Sequence, residues 1–186
     1  GSIEGMGFIE IATLIASKVK DHDSELLKNA DEVAEFLAKE NHPTQATVLK
    51  EDFYKNFLLQ VKQNYQTDFG GFSQAPKFPQ ASTLNALMLI DSLYSDRAAR
   101  SMVLQTLDSM KEGAVFDQLE GGFYRYALEN DWQNPYYEKT LYDNALLCEL
   151  YAKAYKQYQN DAYLQVAKKC AELWCTSMSE EKFFHT

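Results

Sequence analysis

Apolar residues recur at three- and four-residue spacing along most of the chain, the pattern of amphipathic helices. Phe8, Ile11, Ala12, Ile15 and Val19 mark a first helix over roughly 6–20. Leu26, Leu27, Ala30, Val33, Ala34 and Leu37 form one stripe of a second, roughly 24–40, with Ser24 placed to cap it and 41-NHP-43 to end it. A third runs roughly from Lys50 to Gln66 through Phe53, Phe57, Leu58 and Val61. After the loop 67-TDFGGFSQAPKFPQ-80, Leu84, Leu87, Met88 and Leu93 place a fourth helix at roughly 82–94. The short turn 94-YSD-96 leads to a fifth, roughly 96–113, and a second long loop follows. The sixth helix is expected to start near Tyr136 and reach about Gln157, and the turn 159-QND-161 opens a seventh, roughly 161–177.

Short turns therefore alternate with long glycine-aromatic loops. The segments 68-DFGGF-72 and 119-LEGGF-123 resemble each other and lie 51 residues apart. A period near that length with two helices per unit predicts stacked α-hairpins. Their long loops then gather at one end, in a ring or solenoid. No alternation of strands and helices points to an α/β fold. The expected fold class is all-α.

With 46 % apolar residues, the 186-residue chain has material for a core. Its net charge of −9 argues against nucleic acid, which needs clustered Lys and Arg. No apolar run approaches the ~20 residues of a membrane span, and no leader pattern is visible, so a cytoplasmic protein is expected. The start, 1-GSIEGMG-7, looks partly like a cloning scar and takes no part in functional reasoning. Cys148, Cys170 and Cys175 read as small buried hydrophobes, and His22, His42 and His185 are scattered, so neither metal nor cofactor is expected.

The loops and the start of the sixth helix concentrate chemistry. Lys77, Asp117, Arg125, Tyr126 and Trp132 precede 135-PYYEKTLYDNALL-147, which brings Tyr136, Glu138, Tyr142, Asp143 and Asn144. Aromatic faces beside carboxylates and an arginine suit a sugar cleft, where rings cover C–H patches and polar groups take hydroxyls. Paired carboxylates would serve acid–base work. A structural reading stands beside this one. Glu138 with Tyr142, and Lys139 with Asp143, have the spacing of helix-surface pairs. Glu138 also suits a helix start, Arg125 can tie down a loop, and Gly-Gly-Phe can be turn chemistry with an anchoring ring.

The segments 69-FGGFSQAPKFPQ-80, 117-DQLEGGFYRYALENDW-132 and 135-PYYEKTLYDNALL-147 resemble the marker segments of the spermatogenesis-associated protein 20-like family, whose bacterial members include YyaL-type thioredoxin-domain proteins. The resemblance covers roughly residues 6–178. It implies a thioredoxin-like domain followed by a six-hairpin (α/α) toroid similar to N-acylglucosamine 2-epimerase, cellobiose epimerase and six-hairpin glycosidases. On that basis residues 1–20 are the tail of a missing thioredoxin-like domain, and 21–186 the first part of the toroid. Two departures stand out: Tyr124 and Tyr136 occupy positions where the family pattern has histidine, and Thr140 one where it has Met.

The resemblance implies a carbohydrate-related pocket of epimerase, isomerase or glycosidase type. Asp117, Glu138 and Asp143 are its catalytic candidates, and Lys77, Arg125, Tyr126, Trp132, Tyr136, Tyr142 and Asn144 would bind substrate. The alternative is a non-catalytic binding or scaffold domain tethered to a thioredoxin-like redox module. The expected partners are a small carbohydrate and the thioredoxin-like domain of a longer chain, with this chain inactive alone. A partial toroid leaves apolar faces bare, so self-association is expected through Leu146, Leu150, Tyr151, Tyr155, Leu164, Leu173 and Trp174, or through Phe8, Ile11 and Ile15.

Overall fold

The computed structural model describes residues 7–40, 52–180 and 183–184. The expected stop at 41-NHP-43, the start at Lys50, His42 and His185 lie outside the described residues. The chain divides between Leu49 and Lys50 into two compact units.

The first unit holds α1 (Phe8–Lys20) and α2 (Ser24–Glu40). Asp23, rather than Ser24, caps α2: its Oδ1 accepts from the N–H groups of Glu25 and Leu26, each at 3.0 Å. Its Oδ2 meets Lys18 Nζ of α1 at 2.8 Å. The division into compact units falls after α2.

The second unit holds α3 (Phe53–Asn64), α4 (Ala81–Tyr94), α5 (Arg97–Glu112), α6 (Leu141–Tyr158) and α7 (Asp161–Thr176). A two-residue strand pair, β1 (Ser179–Glu180) with β2 (Phe183–Phe184), is the one departure from all-α structure among the described residues. Helices α4 and α5 form one hairpin and α6 and α7 another, with α4 packed against α6. Leu84, Leu87, Leu107, Met110, Leu147 and Leu150 fill the space between them without exposed surface or nearly so. At the short-turn end, buried Asp91 accepts Arg100 Nε through both oxygens at 3.1 Å and Gln157 Nε2 at 3.0 Å. That one carboxylate joins α4, α5 and α6. Two hairpins side by side, each with a long loop before its first helix, make a partial (α/α) toroid.

The helix pattern differs between the layers. Helices α5 and α7 bury one stripe and turn a charged face outward, as amphipathic helices do. Helix α4 exposes Leu89 and Leu93 beside Ser82 and Ser92, while its one charged residue, Asp91, is buried. Leu150, Tyr151 and Leu173, expected on a bare surface, lie in the core instead, because α6 and α7 pack fully against each other and α5. Leu146 is exposed as expected, and so are Phe8, Ile11 and Ile15 in the first unit. No described helix is long and apolar enough to cross a membrane.

The two Gly-Gly-Phe segments fold alike. All four glycines have positive φ, from 66° to 83°. In the first, Gly71 N–H donates to Thr106 Oγ1 of α5 at 2.9 Å. In the second, the chain lies on α7, where a Cβ at Gly122 would run into the Leu173 side chain; burial pushes the Cys170 thiol of α7 up to about 12. Each segment thus lies flat on the second helix of its hairpin. A Cβ at Gly121 would sit 2.8 Å from the carbonyl oxygen of Lys169. The strained φ and this clash should make Gly121→Ala cost about 2–4 kcal/mol. Urea unfolding should show a lower midpoint at an unchanged slope; a shift below about 0.5 kcal/mol would contradict this packing.

Candidate functional site

The long loops meet each other. Lys77 and Ala127 exchange backbone hydrogen bonds at 2.7 and 2.9 Å, and Ala127 also bridges to Pro135. Three extended segments therefore lie side by side at the end where α4 and α6 begin. Helix α6 starts at Leu141, five residues later than the apolar pattern suggests. Thr140 is its N-cap, accepting from Asp143 N–H at 3.3 Å. Residues 136–139 are held instead by the loop: Tyr136 N–H donates to Tyr126 O, and Arg125 N–H to Glu138 O. The helix-surface pairs Glu138–Tyr142 and Lys139–Asp143 are accordingly not formed, because only Tyr142 and Asp143 are helical.

Three expected ligand contacts form the frame beneath the site. Lys77 is fully buried, its Nζ donating to Asn130 O at 2.7 Å and lying 4.8 Å from the Trp132 ring centre. Burial lowers its pKa to about 8, against the opposing field of Asp131. Trp132 is also fully buried and donates Nε1–H to Phe69 O at 2.8 Å, pinning the second loop to the first. Asn144, buried on α6, takes the Phe123 N–H at 2.6 Å and gives its own amide to Phe123 O at 2.9 Å. The polar atoms of these side chains are committed to backbone. Lys77, Trp132 and Asn144, expected to bind substrate, are buried and hold the loop backbone.

Asp117 is also committed. Its Oδ1 accepts from the N–H groups of Leu119 and Glu120, and its Oδ2 from Lys139 Nζ at 2.7 Å and Tyr124 Oη at 3.0 Å. Burial alone would raise its pKa, but Lys139, the two N–H groups and Tyr124 outweigh it and hold the carboxyl at about 2. Tyr124 is pushed up to about 12 by burial and by Asp117. Neither group changes charge near neutral pH, so Asp117 has the environment of a structural anion rather than an acid–base catalyst.

The remaining residues face outward and converge. The rings of Tyr126 and Tyr136 stack at 4.8 Å with an interplanar angle of 4°, and Phe78 tilts against Tyr126 at 4.9 Å. Beside them Arg125 Nη1 meets Glu138 Oε2 at 2.9 Å. The Glu138 hydrogen bond, first among several nearby groups, raises the guanidinium pKa above its ordinary value. Asp143, whose Oδ2 also accepts from Thr140 Oγ1, lines a cleft of about 340 Å³ with Phe78, Gln80, Ser82, Thr83 and Leu146. The α4 residues of this cleft were not singled out from the sequence. Pro79 followed by the hydroxyls of Ser82 and Thr83 at a helix start was the available signal.

Asp117 sets a pH dependence. Its folded pKa lies below the ordinary carboxyl value of 3.8, so the stability it contributes is present above that value and lost as pH falls towards about 2. Below pH ~4 the wild type should lose stability faster than Asp117→Asn, which is less stable at neutral pH by about 1–3 kcal/mol. Urea midpoints at several acid pH values check this; parallel curves for the two proteins would remove Asp117 from the acid response.

No protein-family model matches the chain. Spermatogenesis-associated protein 20 of Homo sapiens is 31 % identical over 94 % of this chain, and that of Mus musculus 31 % over 88 %. The chain spans 23 % and 22 % of their lengths. Among solved structures, cellobiose 2-epimerase from Bacillus thermoamylovorans superposes with a TM-score of 0.59 at 19 % identity, over 71 % of this chain and 39 % of that one. The Spirochaeta thermophila enzyme gives 0.57 at 17 %, over 66 % and 36 %. These likenesses give the fold, that of six-hairpin (α/α) toroids. The sequence gives the kinship: this chain belongs to the spermatogenesis-associated protein 20-like family.

Proposed function

We propose that the long-loop end forms one wall of a carbohydrate-binding cleft. The observation that carries this reading is the outward Tyr136 ring, stacked on Tyr126 and flanked by the Arg125–Glu138 pair, with Asp143 in the adjoining cleft. A rigid ring face covers the apolar C–H side of a pyranose, and a charged fork beside it takes hydroxyls. The fold shared with cellobiose 2-epimerases supports the same substrate class. In this reading Glu138 and Asp143 are the carboxylates within reach of a sugar, and Tyr142 closes one side.

The state of Asp117 and Tyr124 favours binding without turnover at their positions. Neither gains or loses a proton near neutrality, whereas proton transfer at a sugar carbon works best with a group that titrates there. The described histidine, His22, is in the first unit. A binding or scaffold role is therefore the second reading, and any epimerase, isomerase or glycosidase chemistry would rest on Glu138 and Asp143 together with groups from a longer protein.

Titration with glucose and cellobiose, followed by backbone amide NMR, tests the proposal. Shifts should localise to Arg125, Tyr126, Tyr136, Glu138 and Asp143, with a dissociation constant on the order of 1 mM for so shallow a wall. Tyr136→Ala should weaken binding about fivefold, the equivalent of ~1 kcal/mol, and leave stability near wild type. Shifts elsewhere, or equal affinity in the variant, would sink the carbohydrate reading and leave the scaffold.

A further inference from the structure

We infer that the groove where α5 meets the turn between α6 and α7 binds a small linear zwitterion of dipeptide length, its ammonium at Asp108 and its carboxylate at Arg100. Arg100, Leu104 and Asp108 of α5 face Tyr158, Asn160 and Tyr163 across a space of about 440 Å³. The groove lies at the short-turn end, so its basis is independent of the carbohydrate reading.

The groove floor holds an unmet polar group. Tyr163 is fully buried, and its Oη has no hydrogen-bond partner. Burial first, and Asp108 next, push its pKa up, so the phenol keeps its proton and remains a donor. Buried hydroxyls are satisfied as a rule. Tyr151, the neighbouring buried phenol, follows it by donating to Leu107 O at 2.7 Å. Asp108 stands near Tyr163 but pairs with Lys111 Nζ at 3.3 Å, half-exposed. At the other end Arg100 gives its Nε to buried Asp91, and its two Nη groups make no hydrogen bond among the described residues.

Charge and length select the ligand. Residues 100, 104 and 108 are four apart on α5, so the groove wall runs positive, apolar and negative over ~12 Å. A lone anion or cation serves one end and leaves the other unpaired. An extended dipeptide holds its charged groups ~7 Å apart, and a charge-assisted hydrogen bond adds ~2.8 Å at each end. That reach matches the wall. A single amino acid is too short to touch both ends, and a tripeptide, at ~10 Å between charges, is too long. The ligand's ammonium takes the place of Lys111 on one oxygen of Asp108, and the other oxygen turns to accept from Tyr163. Tyr163 is thus a positioning residue for that carboxylate.

Backbone amide NMR with glycyl-leucine reads the site. Shifts should centre on Arg100, Leu104, Asp108 and Asn160, with a dissociation constant on the order of 1 mM. 6-Aminohexanoate carries the same two charges without a peptide group and should bind within about threefold of the dipeptide. N-Acetyl-glycyl-leucine and glycyl-leucine amide, each lacking one charge, should bind at least ~10-fold more weakly. Arg100→Gln would strand buried Asp91, so the amide tests that end in place of a variant. Asp108→Asn should weaken glycyl-leucine about 10-fold with melting near wild type, the side chain being half-exposed. Tyr163→Phe should weaken it about threefold while the unliganded protein melts at or slightly above the wild-type temperature, because an unmet hydroxyl is removed. A phenol with a purely structural role would instead lose stability and leave affinity unchanged. Absence of shifts with either zwitterion, equal affinity for the singly charged ligands, or indifference to Asp108→Asn would overturn the inference and leave a solvent water as the partner of Tyr163.

Discussion

A backbone that is neither helix nor sheet still has to place every buried N–H and C=O group. That constraint governs the long-loop end. Two loops of irregular backbone lie against the starts of α4 and α6, and helical hydrogen bonding cannot serve them. Side chains do so: Asn144 takes both polar groups of Phe123, Lys77 takes Asn130 O, Trp132 takes Phe69 O, and Lys139 takes Gly121 O. Asp117 supplies the opposite sign, accepting four donors within its own loop. An unmet buried group costs about 1–3 kcal/mol, so these side chains are as necessary to the fold as the leucine core.

This explains which parts of the site were legible in the sequence. The helices were, because apolar spacing directly reflects the face that packs; six of the seven start within about three residues of the expected position. The start of α6 was not. Tyr136, Tyr137 and Lys139 continue a pattern that reads as helical, yet Thr140 caps at the next position and the loop claims the stretch before it. A cap competes with periodicity over a few residues, and periodicity needs a longer window to count. The set of chemically unusual residues was also legible, but not its division into frame and surface. Lys77, Trp132 and Asn144 look no different in sequence from Arg125 and Tyr136. The tertiary placement of loops and helix decides which point inward: Lys77 by its pairing with Ala127, Trp132 by its reach to Phe69 O, and Asn144 by the inner face of α6.

The repeat has its own logic. Gly70–Gly71 and Gly121–Gly122 place the chain in the same left-handed conformation, each against the second helix of its hairpin. In the first repeat the second glycine's N–H is received by a side chain, the Thr106 hydroxyl; in the second, Gly122 packs on Leu173 of α7.

Tyrosine at positions 124 and 136 changes what the site can do without dismantling it. A histidine at 124 beside Asp117 would be a paired, titratable group near neutral pH. Tyr124 in the same place stays protonated and serves as a donor to that carboxylate. At 136 the phenol ring adds a flat face that continues the Tyr126 stack to the surface. Both tyrosines supply rigid ring surface, Tyr124 edge-on to Tyr137 and Tyr136 stacked on Tyr126. Arg125 and Glu138 pair beside that ring face and Asp143 lines the adjoining cleft, and the proposed carbohydrate wall rests on this juxtaposition of charge and flat ring.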